Sequence, residues 1–257
     1  MRRVEEQWGT VISVDVREPI DAAALDAVFE WFSEVDTLFS TWRTDSEICR
    51  VGRDELNRRD AHAEVQAVLA RCDDLRGETN GAFDVTVAQR AAQPLQPGQA
   101  PIDPSGFVKG WAVERSAAML HAIGVQRFAI AAGGDVRLGG APPGERGWRV
   151  GVQHPLERDK VAAVVRLVDA GVATSGRYER GDHVLDPRSG SPARDLLSAT
   201  VVGPDLGTAD AYATALMVMG AEGGLEWIRT RPGYEALVIT GDQRLVLTPG
   251  FEVLRLA

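Results

Sequence analysis

Phe128-Ala129-Ile130-Ala131-Ala132-Gly133-Gly134-Asp135-Val136-Arg137-Leu138 is the stretch that sets the architecture. An apolar run reaches two glycines, and a second short apolar segment follows at once. Two glycines at a strand end let the chain reverse tightly, or let its backbone approach a ligand closely. The run lacks G-x-G-x-x-G spacing and no helical pattern comes after it, so a dinucleotide-binding βαβ unit is excluded here. A strand-to-strand turn remains, and antiparallel pairing with it.

Working outward, Thr10–Val16 reads as a strand. Pro19 and Asp21 introduce a helix whose apolar positions Leu25, Val28, Phe29, Phe32, Val35 and Phe39 keep helical spacing. A loop from Ser40 to Glu47 follows. Asp60 is the expected N-cap of a second helix carrying Val65, Val68, Leu69, Cys72 and Leu75, which Gly77 and Gly81 close. Ala91–Pro104, with four prolines and three glutamines, reads as a linker. A third helix runs from Ser105 to Ile123 and stops at Gly124.

Beyond Leu138 the pattern predicts strands at 148–152, 161–168, 171–175, 183–185 and 198–202. Helices at 208–219 and 224–230 precede a closing hairpin around Gly241-Asp242. The fold class is therefore α+β, one domain over residues 1–257, with a mixed or antiparallel sheet and peripheral helices.

The chain has 257 residues, enough for a substantial core without staples. Its 28 basic and 37 acidic residues give a net charge of −9, which argues against holding nucleic acid or anionic lipid. Two cysteines make no disulfide framework and no thiolate zinc site. Met1-Arg2-Arg3 has no apolar run behind it, so a cytoplasmic location without membrane insertion is expected.

Five segments carry more chemistry than a scaffold needs. Gly81-Ala82-Phe83-Asp84-Val85-Thr86 sets a carboxylate in a turn, which it could simply close. Gly106-Phe107-Val108-Lys109-Gly110-Trp111 opens a helix with a lysine that opposes the dipole, a sensible choice if a phosphate sits nearby. Ala132-Gly133-Gly134-Asp135 is the tight turn already quoted. Thr174-Ser175-Gly176 and His183-Val184-Leu185-Asp186-Pro187-Arg188-Ser189-Gly190 read as a hairpin turning at Gly181-Asp182. In Thr208-Ala209-Asp210-Ala211-Tyr212-Ala213-Thr214, Asp210 and Thr214 are four apart and share a helix face. A carboxylate and a hydroxyl so placed are hard oxygen ligands suited to Mg²⁺, although a first-turn aspartate is also explained by the dipole alone.

Taken in chain order, these segments resemble the FAD:protein FMN transferase family, also called the ApbE flavin-transferase family. The shared pattern runs from Trp8-Gly9-Thr10 to Met219-Gly220. The resemblance implies an ApbE-like fold and an enzyme that binds FAD and Mg²⁺ and moves FMN to a Thr or Ser hydroxyl of a target flavoprotein, with AMP leaving. It implies metal positions at Val108 (through its backbone oxygen), Asp210 and Thr214. It places Trp8, Thr41, Trp42, Ala82, Asp84, Lys109, Thr174, Ser175, His183 and Leu185 around the flavin nucleotide, and gives His183 the role of base.

Three features depart from the family pattern: no export signal or lipid-attachment cysteine is seen, the segment between Val87 and Asp103 is short, and Asp103-Pro104-Ser105-Gly106 stands where Leu-Gly-Gly is common. Two other readings stay open, a Mg²⁺-dependent FAD pyrophosphatase and a flavin-binding protein without catalysis.

Overall fold

The computed structural model describes residues 1–87, 101–177 and 184–256. Eight strands form one sheet: β1 (Arg2–Gln7), β2 (Thr10–Val16), β3 (Phe128–Ala132), β4 (Asp135–Gly139), β7 (Gly171–Gly176), β8 (Leu196–Gly203), β9 (Glu235–Thr240) and β10 (Leu245–Leu247), adjacent in that order. Every neighbouring pair is antiparallel, so the mixed alternative is not realised. The intervening strands β5 (Trp148–Gln153) and β6 (Val161–Leu167) pair with each other as a separate two-stranded ribbon, and Val165 of β6 also bridges Arg255.

Alternation along the strands explains the layers. Ala173, Val201 and Val238 join one apolar cluster, while their neighbours Val172, Val202 and Leu237 join another. Successive residues point to opposite faces, so the sheet is covered on both sides. One face carries the helices α1 (Ala22–Phe39), α2 (Glu47–Gly52), α3 (Ala63–Glu78), α4 (Ser105–Ala122), α5 (Leu206–Met219) and α6 (Ala221–Ile228). The other carries the β5–β6 ribbon and, through the fully buried Phe251, α7 (Pro249–Leu254). Among the described residues no helix is long and apolar enough to cross a membrane.

Several sequence expectations shift. β1 was not predicted: Arg2, Arg3, Glu5 and Glu6 give it a polar alternation, and it is an edge strand, where charge is tolerated. The N-cap of α3 is His62, whose Nδ1 accepts from Glu64 N, rather than Asp60. Asp60 instead closes a single 3₁₀ turn, Arg58–Asp60, that Asn57 caps. The loop after Ser40 contains α2, which Ser46 caps by accepting from Cys49 N. Asp205 caps α5 two residues early, so Asp210 lies beyond its first turn. Strand β7 pairs with β8, Gly176 opposite Ser198, and the expected strand partner His183 lies outside the described residues. Leu185 makes a lone bridge to Pro192, and the Gly181-Asp182 turn lies outside the described residues.

Two tight turns stand side by side at one end of the sheet. Gln7 pairs with Thr10, leaving Trp8 (φ 56°) and Gly9 (φ 68°) as a two-residue hairpin loop. Ala132 pairs with Asp135, leaving Gly133 and Gly134 as another. Strand β2 joins them through Ile12 opposite Ala132.

Candidate active site

Helix α4 crosses α5 at close range, and glycines make the approach possible. A Cβ on Gly110 would lie 2.6 Å from the Leu206 carbonyl oxygen and 3.0 Å from Asp210 Cβ. One on Gly106 would lie 3.0 Å from Thr214 Oγ1. Gly106 and Gly110 thus form a flat stripe on α4 against which Asp210 and Thr214 rest. Gly110 N donates to Asp210 Oδ2 at 3.2 Å.

Two strands, β4 and β7, add to this point. Asp135, at the start of β4, is fully buried. Its Oδ2 accepts from Lys109 Nζ, and its Oδ1 accepts from Thr174 N at 3.1 Å. Lys109 Nζ also lies 3.6 Å from Asp210 Oδ2. The alternation that turns Asp135 toward the helices turns Ser175 there as well, and its hydroxyl is 3.1 Å from that of Thr214. The lysine that opposed the helix dipole in the sequence is thus compensated by two carboxylates.

Next to this cluster opens a cleft of about 1090 Å³. Val108 and Lys109 line it, the two hairpin turns supply Trp8 and Gly133, and the loop after α1 supplies Thr41 and Trp42. Trp8 is fixed: its indole N–H donates to Phe32 O at 3.0 Å and its ring meets Phe32 edge-on at 5.2 Å. A bulky residue at positive φ is strained, and such strain persists where its surroundings over-determine it. Trp42 is the opposite case. It is 73% exposed at the cleft rim and presents an open ring face. The backbone beneath it is anchored, because Ser46 Oγ donates to Ser40 O at 2.7 Å and the Cys49 thiol reaches Ser40 O and Thr41 O.

Of the sequence candidates, Lys109, Ser175, Asp210 and Thr214 converge, and Trp8, Thr41, Trp42 and Val108 line the cleft beside them. Four others sit differently. Thr174 points its side chain to the ribbon face, where it meets Thr200 Oγ1 at 2.9 Å, and only its N–H meets the cluster. Asp84 caps its own turn, accepting from Thr86 N and Oγ1, and pairs with Arg76 at 3.1 Å. Ala82 is buried in that turn. Leu185 is on the bridge to Pro192. His183 lies outside the described residues. Asp135 is the residue that sequence reading did not place among the ligands. Its signal was present: an aspartate that starts a buried strand needs a cation.

Among the described residues no three His, Cys, Asp or Glu side chains gather to hold a metal. Asp210, Thr214, the helical Val108 carbonyl with its second lone pair, and Ser175 are instead a sparse set of hard oxygens. Mg²⁺ binds through one or two carboxylates and keeps water and substrate phosphate for its other positions, so this donor set fits it. The missing Cβ at Gly106 leaves the Thr214 hydroxyl clear on that side.

The sequence matches the ApbE family over residues 8–93 and 90–238, most of its length. This chain belongs to the ApbE family. An FAD:protein FMN transferase of Vibrio cholerae serotype O1 is 28% identical over 240 residues, covering 75% of this chain and 72% of that protein. One from Escherichia coli is 34% identical over 151 residues, covering 55% of this chain but 43% of its own length. Among solved structures, the flavin transferase ApbE from Vibrio cholerae superimposes with a TM-score of 0.84 at 24% identity, covering 99% of this chain and 98% of that one. The ApbE protein of Thermotoga maritima gives 0.84 at 24%, covering 100% and 99%. The fold is thus the ApbE fold, antiparallel sheet and flanking helices included.

Proposed function

We propose that this chain transfers FMN from FAD to a Thr or Ser hydroxyl of a target flavoprotein in a Mg²⁺-dependent reaction. The observation that carries the reading is the meeting of Lys109, which lines a cleft of about 1090 Å³, with Asp210 at 3.6 Å, on the same helix face as Thr214. Membership of the ApbE family and the names of its relatives support it.

The open ring of Trp42 and the fixed wall of Trp8 receive the flavin nucleotide. The Lys109 ammonium meets the pyrophosphate as a positive charge. Asp210, Thr214 and the Val108 carbonyl would hold Mg²⁺, which would supply screening of the phosphate charge that a hydroxyl must approach. The acceptor oxygen then bonds to the FMN phosphorus and the P–O bond to AMP breaks. AMP leaves with the bridging oxygen, and His183 takes the hydroxyl proton, as an imidazole titrating near 6.5 can.

The test incubates the chain with FAD, MgCl₂ and a candidate acceptor, followed by intact-mass spectrometry. A gain equal to FMN less water, absent with Asp210→Ala and without Mg²⁺, is expected. AMP and free FMN appearing with no modified acceptor would assign the pyrophosphatase activity instead. Turnover unchanged in Asp210→Ala would remove that residue from the site.

A further inference from the structure

Gln7 closes the first hairpin turn and lines the same cleft as Trp8 and Trp42. Its amide oxygen, Oε1, is buried and accepts no hydrogen bond from the described residues. A buried acceptor left empty is costly, and native chains keep few of them. Reversing the amide does not cure it. Its nitrogen lies 3.4 Å from both Glu5 Oε2 and Phe29 O, two acceptors, so a reversed amide would set oxygen against oxygen. Both bonds are long, and neither acceptor depends on Gln7. Glu5 also accepts from Arg3 Nε at 2.6 Å, and Phe29 O from Ser33 Oγ at 3.1 Å. The side chain can therefore turn into the cleft without stranding a partner behind it.

The place of Gln7 in the sheet separates it from the charged groups. Asp135, which holds Lys109, starts the fourth strand from the edge, and Gln7 ends the first. Three strand spacings, about 14 Å, lie between those strands. Charge gathers at one end of the cleft, and a neutral amide beside two indole rings stands at the other.

We propose that Gln7 is a specificity-determining residue that reads the edge of the nucleotide's planar ring: Oε1 accepts from a ring-edge N–H, and Nε2 donates to the ring acceptor next to it. This inference rests on the nucleotide reading above and deepens it. Stacking on Trp42 is indifferent to which flat ring arrives, because every such ring has a π-face. A hydrogen-bonding group at the edge supplies the selection, since a ring without the N–H would leave it unpaired. The flavin ring offers an imide N–H between two carbonyls, and adenine an amine beside a ring nitrogen. A glutamine amide matches either edge.

The experiment titrates FMN and AMP, the two halves of FAD, separately into the full chain with MgCl₂ present, FMN by fluorescence and AMP by calorimetry. No turnover or acceptor is needed. Gln7→Leu is expected to weaken one half about fivefold or more and to leave the other within about twofold. Loss with FMN assigns the flavin edge to Gln7, and loss with AMP the adenine edge. The affected ligand is then used with its N–H methylated, as 3-methyl-FMN or N6,N6-dimethyl-AMP. The wild type is expected to bind it as weakly as Gln7→Leu binds the parent, and Gln7→Leu to bind both forms within about twofold of each other. Where Gln7→Leu melts well below the wild type, Gln7→Met, which keeps the length without the amide, repeats the comparison. Unchanged affinity for both halves, equal loss for both, or additive effects of variant and methyl group would overturn the inference, while FAD binding by the wild type would keep the nucleotide reading standing. If the wild type binds neither FAD nor either half, the nucleotide reading fails and this inference falls with it.

Discussion

Gly110 and Gly77 are both helical glycines, yet replacing them should have opposite results. An ordinary helix gains roughly 0.5–1 kcal/mol when glycine becomes alanine. A Cβ at Gly77, on the exposed side of α3, meets nothing within 4 Å, so Gly77→Ala should stabilise by about that amount in urea melts. A Cβ at Gly110 would press on the backbone oxygen of Leu206, which has no rotamer to yield. The clash outweighs propensity, and Gly110→Ala should cost about 1–3 kcal/mol while weakening Mn²⁺ binding. Equal effects from the two substitutions would refute the close crossing. Trp42→Ala separates binding from stability in another way. An exposed side chain away from structural contacts changes stability by about 0.5 kcal/mol or less. Loss of a stacking surface costs about 1–3 kcal/mol, or roughly 5- to 150-fold in FAD affinity by fluorescence titration. A variant that binds FAD unchanged would take Trp42 out of the nucleotide site.

Between elements, the end of α3 is bound to α5 and α6 through Glu78. Its carboxylate accepts from Arg71 at 2.6 Å and from the Tyr212 hydroxyl at 2.7 Å. Its backbone oxygen accepts from Trp227 and Arg231. Burial pushes the Glu78 carboxyl upward, but the hydrogen bonds and charge of Arg71, with the Tyr212 bond, outweigh it and hold the group below its ordinary value of 4.5. Tyr212 moves the other way, raised above its usual range by burial and by the same carboxylate. A depressed carboxyl contributes stability above its unfolded pKa and loses it as pH falls through the folded value. The wild type should therefore lose thermal stability more steeply below about pH 4.5 than Glu78→Gln does. Parallel Tm–pH curves for the two proteins would contradict this.

Tyr212 sits two residues after Asp210, so this anchor also fixes α5 where the site needs it. The sequence pattern found α1, α3, α4 and α5: the first three bury one face each, whereas α5 is buried on nearly every side. It missed α2 and β1, whose signals are a cap and a polar edge. It also set Thr174 beside Ser175 in the site, since pairing partners, and hence which face each takes, are not written in either residue.

Across the whole molecule, the sheet separates two jobs. The helical face carries the candidate site, and among the described residues the ribbon face, with Phe251, carries a second apolar cluster. Phe251→Ala should cost about 3–5 kcal/mol of stability, yet leave Mn²⁺ affinity unchanged below its melting point. A parallel loss of both would mean that the faces are coupled. The turn between β3 and β4 was legible from Gly133-Gly134, but whether the whole sheet is mixed or antiparallel was not. The meeting of Lys109 with Asp210 was not, because it depends on two helices packing across a long stretch of chain.

That separation has a consequence for biosynthesis. Gly110 and Asp210 are 100 residues apart, and Asp210 enters only with α5. A ribosome that has made everything up to β8 has already supplied both hairpin turns, Trp42 and Lys109, so the parts of a nucleotide cleft are all in hand. The carboxylate and hydroxyl assigned to the metal are still to come. Long-range contacts of this kind form late, after the local ones. A chain that ends before α5 therefore carries every residue that lines the cleft and neither member of the Asp210–Thr214 pair.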